Sequence, residues 1–433
     1  MYARAQMGLS LAFHIVFAAI GVALPALMVI ADVLHARTKD DTYLQLSKRL
    51  AKGTSILFAV GAVSGTVLSF ELGLLWPRFM GAFGEGIGLA FALEGFAFFT
   101  EAIFLGIYLY GRGKVSARLH LGAGIAVAVS GAASAFFVTL VNAFMNNPAG
   151  AAVVNGRLLI DPLHALFSPS WPYQAVHVLV SSYQATAWAM VGIHAFFLLR
   201  DPLRALHRKA LGIALPVACL TALVQPLSGD RSAKHIAAAQ PLKLAAAEAL
   251  LHTQRHAPLH IGGWPDLQTG EIRGAVALPG GLSFLAFGDT DASVKGLTEF
   301  PRDQWPPVLA VRTAFQVMVG AGTAMAALAL ALVVTVWLAR RRLLPDGRPW
   351  LWALALASPL GFVSLEAGWL VTEWGRQPWV VRGLLRTPQA VTEFPYLAAP
   401  FWLFTVVYVL LGAAVAYLLA RQIIQAHRAS EIA

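Results

Sequence analysis

Nine apolar runs, each about as long as a bilayer is thick, constrain this chain more than any other feature. A hydrocarbon core takes about 20 residues of α-helix. The runs fall roughly at 7–32, 53–75, 87–110, 119–143, 174–199, 209–227, 308–338, 350–372 and 396–420. In lipid every backbone N–H and C=O needs a partner within the protein, so runs of this kind fold as helices. The reading is an all-α integral membrane protein, a bundle of about nine transmembrane helices in a lipid bilayer. Composition agrees: 12% of residues are charged, against about 25% in soluble proteins. The first run begins almost at Met1 and is longer than a signal-peptide core, so it is expected to be a retained helix. The only cysteine is Cys219, within an apolar run, which excludes a disulfide framework and a thiolate metal cluster.

A net charge of +10 raises the question of nucleic acid. The basic residues answer it, because they sit in short connectors between apolar runs. They are Arg37, Lys39, Lys48, Arg49 and Lys52; Arg112, Lys114 and Arg118; Arg200, Arg204, Arg208 and Lys209; and Arg340, Arg341, Arg342 and Arg348. Arg421 and Arg428 follow the last run. No nucleic-acid partner is expected. The positive-inside rule places these connectors and the C-terminus in the cytoplasm. The N-terminus and the segments near 76–86, 144–173, 228–305 and 374–395 then face outward.

One outer segment is too long to be a simple connector. Residues 228–305 are polar and rich in Gly and Pro, and loops of this length are usually functional or disordered. The chain thus divides into helices 1–6 (1–227), an outer loop (228–305) and helices 7–9 (306–433). Within the loop, Pro241 to Thr253 has helix-forming composition.

Ionisable groups at membrane depth are costly and usually mark ion paths, proton relays or cofactors. Glu94 and Glu101 are seven residues apart in the third run, as are Glu366 and Glu373 in the eighth. Seven residues is nearly two turns, so each pair shares a helix face. A proton relay, or an iron ligand beside a proton donor, would use such a pair; so would a carboxylate merely paired with a buried partner. Glu71, near the end of the second run, reads as interfacial as readily as buried. His14, His177 and Met318 lie in the first, fifth and seventh runs. Helix–helix hydrogen bonding and core filling would account for them singly. Heme is the sharper reading, since iron held by His and Met is a low-spin arrangement. Lys243 and Glu248 share one short loop helix, and their spacing of five is not that of an ion pair. The pattern alone favours two solvated side chains.

Six strings resemble subunit I of the cytochrome bd family of quinol oxidases. They are Arg4-Ala-Gln6 through His14, Leu93-Glu94-Gly95 through Glu101, Val176-His177, Phe315 through Gly320, Glu366 through Trp379, and the loop helix at 240–253. The string Glu373-Trp-Gly-Arg376-Gln-Pro-Trp379 is the most specific. The resemblance implies three hemes. His177 and Met318 match the ligands of a low-spin heme b. His14 and Glu373 match the ligands of a high-spin pair: a heme b, and a heme d or third heme b. Glu94 and Glu101 match carboxylates at that pair, one beside the iron and one in the proton path. Lys243 and Glu248 match quinol-site residues, Arg376 an arginine near heme propionates, and Trp369 an aromatic between hemes. Gln316 departs from the pattern, standing where some members carry arginine. The loop is the short form.

The implied activity is quinol:oxygen oxidoreduction in a bacterial cytoplasmic membrane, with charge separation. Quinol and oxygen are the implied substrates. A subunit II and a small single-helix subunit are the implied partners. The alternatives are a proton-coupled transporter, which would use the same carboxylates, and a heme subunit that only relays electrons.

Overall fold

The structure, a computed structural model, describes residues 1–155, 157–339 and 347–428. Four long helices come first: α1 (Tyr2–Thr38), α2 (Asp41–Leu75), α3 (Pro77–Gly111) and α4 (Ala117–Asn146). An antiparallel hairpin of β1 (Ala151–Val154) and β2 (Arg157–Ile160) and a short α5 (Pro162–Leu166) lead to α6 (Trp171–Arg200) and α7 (Ala205–Ala239). The long loop holds α8 (Pro241–Glu248), β3 (Gln254–Arg255), β4 (Leu259–Pro265), β5 (Ile272–Leu278), α9 (Gly281–Phe287) and β6 (Ser293–Val294). In it β4 pairs with β5 and β3 with β6, both antiparallel. The chain re-enters the bundle through α10 (Val308–Ala339), α11 (Arg348–Ala357) and α12 (Leu360–Trp374). A small hairpin of β7 (Trp379–Val381) and β8 (Leu385–Arg386), then α13 (Thr387–Ala390), precede α14 (Ala398–Arg428).

Among the described residues, eight segments are long and apolar enough to cross a membrane, α11 and α12 together forming one of them. The fifth expected run, at 174–199, falls on α6, which is 30 residues long but is not among these eight. It is less apolar because its first half carries Tyr173, Gln174, His177, Ser181, Ser182 and Gln184. Arg340, Arg341 and Arg342 of the fourth basic connector lie outside the described residues.

Two boundaries differ from the sequence reading. The sixth run was expected to end at 227, but α7 continues to Ala239. Hydropathy cannot see that extension, because its Asp230, Arg231 and Lys234 end the apolar run while its alanines and lysine still favour helix. The eighth run is broken into α11 and α12 at Ser358-Pro359, since proline cannot donate the N–H that a continuous helix requires.

The core lies around α6 and α7, where Trp188, Val191, Leu211 and Leu215 are buried. Small residues bring these backbones close. A Cβ on Gly361 of α12 would stand 2.6 Å from Ala185 Cα on α6, so only glycine fits there. The other helices pack around this pair: α1 against α2, α4 and α6, α3 against α4, α10 against α7 and α12, and α14 against α1. At the end of the bundle opposite the loop, Asp32, Ser47 and Tyr108 form a buried hydrogen-bonded cluster across α1, α2 and α3, joined by the half-buried Arg112 just beyond α3.

Candidate heme and quinol site

One cavity of about 1270 Å³ runs through the bundle. His14, Glu94, Glu101, His177, Lys243, Met318, Trp369, Glu373 and Arg376 all line it. Of the residues matched to family roles, only Glu248 lies off its wall.

The two histidines are held in the same way by unrelated helices. His14 Nδ1 on α1 lies 2.9 Å from Ser64 Oγ on α2, and that hydroxyl donates to Val60 O at 2.9 Å. His177 Nδ1 on α6 lies 2.9 Å from Ser228 Oγ on α7, which donates to Gln225 O at 2.9 Å. Each serine spends its only proton on a backbone carbonyl, so it accepts from the ring. Nδ1 therefore carries the hydrogen, and Nε2 is the unprotonated nitrogen, the one able to bind a metal. Gln225 Nε2 also reaches His177, 3.2 Å from its Nε2 and 3.2 Å from its carbonyl oxygen.

Bare helix backbone faces both histidines and Met318. A Cβ on Gly65 would stand 3.1 Å from His14 Cε1, one on Gly229 3.5 Å from His177 Cε1, and one on Gly368 2.9 Å from Met318 Sδ. A side chain at Gly368 would displace the sulfur.

The carboxylates differ in their partners. Glu373 Oε1 accepts from Asn142 Nδ2 at 2.6 Å and Oε2 from Arg376 Nη2 at 2.5 Å. Glu94 accepts from Ser134 Oγ at 3.0 Å. Glu101 is buried, and it faces Gly131 on α4, where a Cβ would lie 3.3 Å from Oε2. Glu366 is off the cavity wall and its buried Oε1 has no hydrogen-bond partner among the described residues. Glu71 is buried, not interfacial: Gln6 Nε2 and Ser10 Oγ each donate to its Oε1 at 2.8 Å.

Lys243 and Glu248 overturn the solvated reading, being 5% and 4% exposed. Five residues apart on α8, they point to different partners. Lys243 Nζ donates to Asn146 Oδ1 at 2.5 Å and to Thr372 O at 3.3 Å. Glu248 Oε2 lies 3.7 Å from Arg312 Nη1. Burial lowers the Lys243 ammonium to about 7, reinforced by the nearby Arg376 charge. Burial pushes the Glu248 carboxyl up to about 7, against the pull of Arg312. Gln316, the departure from the family pattern, clamps β4: it accepts from Gly262 N at 2.9 Å and donates to His260 O at 3.2 Å.

The donor set fits heme iron. Two imidazoles with an unprotonated Nε2, a thioether and carboxylates are the kinds of ligand that hold it. Nε and Nη1 of Arg376 are buried without a hydrogen-bond partner among the described residues, and such donors suit an anionic group such as a propionate.

Sequence reasoning missed Ser64, Ser228, Arg312, Asn142 and Asn146. The serines carry no distinguishing signal, being common in membrane helices. The asparagines did carry one: two amides four residues apart at the end of an apolar run share a face.

Residues 2–427 match the family described as cytochrome bd terminal oxidase subunit I. The chain is similar to a candidate cytochrome bd menaquinol oxidase subunit I of Bacillus subtilis (strain 168), with 39% identity over 96% of this chain and 95% of that one. It is also similar to the cytochrome bd ubiquinol oxidase subunit 1 of the same organism, with 30% identity over 97% and 92%. Its fold is similar to that of the bd oxidase from Geobacillus thermodenitrificans, with a TM-score of 0.90 and 38% identity over 98% of each chain. The chain belongs to the cytochrome bd terminal oxidase subunit I family, the heme-carrying subunit of a respiratory quinol oxidase.

Proposed function

We propose that this subunit oxidises quinol at the loop between α7 and α10, on the outer side of a bacterial cytoplasmic membrane, and houses the site of oxygen reduction within the bundle. The observation that carries this is the single cavity lined by His14, His177, Met318 and Glu373, with both imidazoles oriented by serine. His177 and Met318 would hold a low-spin heme b. His14 and Glu373 would hold a high-spin pair, a heme b and a heme d or third heme b, with Glu94 beside one iron. When bound, the hemes supply one-electron transfer and the reduction of oxygen to water.

The protein's own residues do the rest. Glu248, when ionised, takes a proton from the quinol hydroxyl, while Lys243 orients the head group by donation. Arg376 receives an anionic edge of the prosthetic group, and Trp369 fills the space between cofactors. Glu101 and Glu94, two turns apart on one face of α3, pass protons inward from the basic end. Charge separates because quinol protons stay outside while consumed protons come from the cytoplasm. The family description, subunit I, supports assembly with a second subunit.

A reduced-minus-oxidised visible spectrum of the purified oxidase, taken with quinol-driven oxygen uptake, tests the reading. Low-spin and high-spin heme bands with uptake are expected. Absence of heme bands would leave a transporter, and low-spin bands alone would leave an electron relay.

A further inference from the structure

Lys243 and Glu373 belong to two different sites in the proposed function, yet a row of hydrogen bonds joins them. Lys243 Nζ donates to Asn146 Oδ1 at 2.5 Å. Asn146 Nδ2 donates to Asn142 Oδ1 at 2.8 Å. Asn142 Nδ2 donates to Glu373 Oε1 at 2.6 Å. The chemistry of the ends fixes the direction of the row. An ammonium only donates and a carboxylate only accepts, so each amide must turn its oxygen toward Lys243 and its NH₂ toward Glu373.

The two asparagines sit four residues apart on the last turns of α4, and Asn146 is fully buried. Asn146 Nδ2 also donates to Asn142 O at 2.9 Å, which pins the amide to its own helix. With a cation at one end and an anion at the other, each bond polarises the next. The row also crosses three elements, from α8 through α4 to α12, and so fixes the loop helix against the helix that carries Glu373.

We infer that Asn142 and Asn146 are positioning residues that couple Lys243 to the Glu373 carboxylate, so that the charge at the loop helix sets the electron density Glu373 presents to the cavity. The inference rests on the assignment of Glu373 as an iron ligand in the proposed function. A donated hydrogen bond draws density away from a ligating carboxylate, and hydrogen bonds of this kind tune a metal's potential. Losing the row makes Glu373 a stronger donor to ferric iron and lowers the midpoint potential of the high-spin heme that it holds.

The test is a double-mutant cycle on the intact oxidase, read by potentiometric titration of the high-spin bands. Lys243→Met and Asn146→Leu are each expected to lower that midpoint. In the Asn146→Leu background, Lys243→Met is expected to produce little further shift. An equal Lys243→Met shift in both backgrounds, or none in either, overturns the coupling. Where Asn146→Leu does not assemble, Asn142→Leu in the same cycle gives the same two outcomes. High-spin bands that are present with additive shifts remove only the coupling, whereas a wild-type protein without high-spin heme removes the Glu373 assignment itself.

Discussion

Arg312 Nη1 lies 3.7 Å from Glu248 Oε2 and donates at 2.8 Å to the carbonyl oxygen of the same residue. Its other terminal nitrogen donates to Gly262 O at 2.8 Å. One buried guanidinium on α10 thus holds the loop helix, its carboxylate and the β4 strand together. Arg312 stands six residues before Met318, so the loop is tied to the helix that carries a proposed iron ligand.

Arg312→Gln should therefore act on quinol oxidation without removing heme. Breaking a buried ion pair on one side costs about 3–5 kcal/mol, because the remaining charge is left uncompensated. Here the strain falls on the loop, and limited proteolysis within 254–294 should speed up. Without its cation Glu248 holds its proton to higher pH, so the rising limb of the quinol-oxidation profile should move upward. An unmoved limb would separate Arg312 from Glu248.

In the wild-type protein the profile should be bell-shaped. Glu248, pushed up to about 7, is protonated and unable to take a proton below that pH, so the rate rises as pH increases through it. Lys243, lowered to about 7, loses its charge above that pH, so the rate then falls. Two groups of this kind give a maximum between their ionisations. Glu248→Ala should slow quinol oxidation and abolish the rising limb, and Lys243→Met should abolish the falling one. Heme content should stay at wild-type level in both. Measured kcat/KM against pH in the three proteins decides this.

The serine contacts predict selective losses. Partners that orient a ligating histidine typically contribute 10–100-fold to metal affinity. Ser228→Ala should deplete low-spin heme and leave the high-spin bands. Ser64→Ala should do the reverse. Pyridine hemochrome assay beside the visible spectrum reads both, and equal loss of all hemes in either variant would contradict the assignment.

Much of this organisation is legible in the sequence, for identifiable reasons. Nine apolar runs and four basic connectors specify the helices, because hydropathy and positive charge are read over whole segments. His14, His177 and the carboxylate pairs stand out because such groups are rare at membrane depth, whereas Met318 stands out only beside them and through the family resemblance. The extension of α7 to Ala239 is not legible, since its polar residues end the apolar run while its alanines and lysine carry the helix on. That extension carries Ser228 and Gly229, both beside His177. The burial of Lys243 and Glu248 is not legible either. It depends on α8 packing between α7 and α10, and a local spacing of five says nothing about that.

Glu101→Gln should separate proton delivery from structure. The residue is buried against Gly131, so the isosteric amide fits where the acid does. Assembly and heme content should stay near wild type, while oxygen reduction slows at its proton-requiring steps. Flow-flash kinetics with a pH dye check this: proton uptake at the wild-type rate would leave Glu101 a structural group.

The central claim is that this cavity holds iron through side chains on separate helices, and Met318→Leu tests it most directly. Leucine keeps the volume but lacks the sulfur that lies against Gly368. Six-coordinate low-spin iron needs both axial ligands. The reduced-minus-oxidised spectrum of Met318→Leu should show the low-spin band replaced by a high-spin one, with quinol oxidation lost and the other heme bands retained. An unchanged low-spin band in that variant would contradict the account.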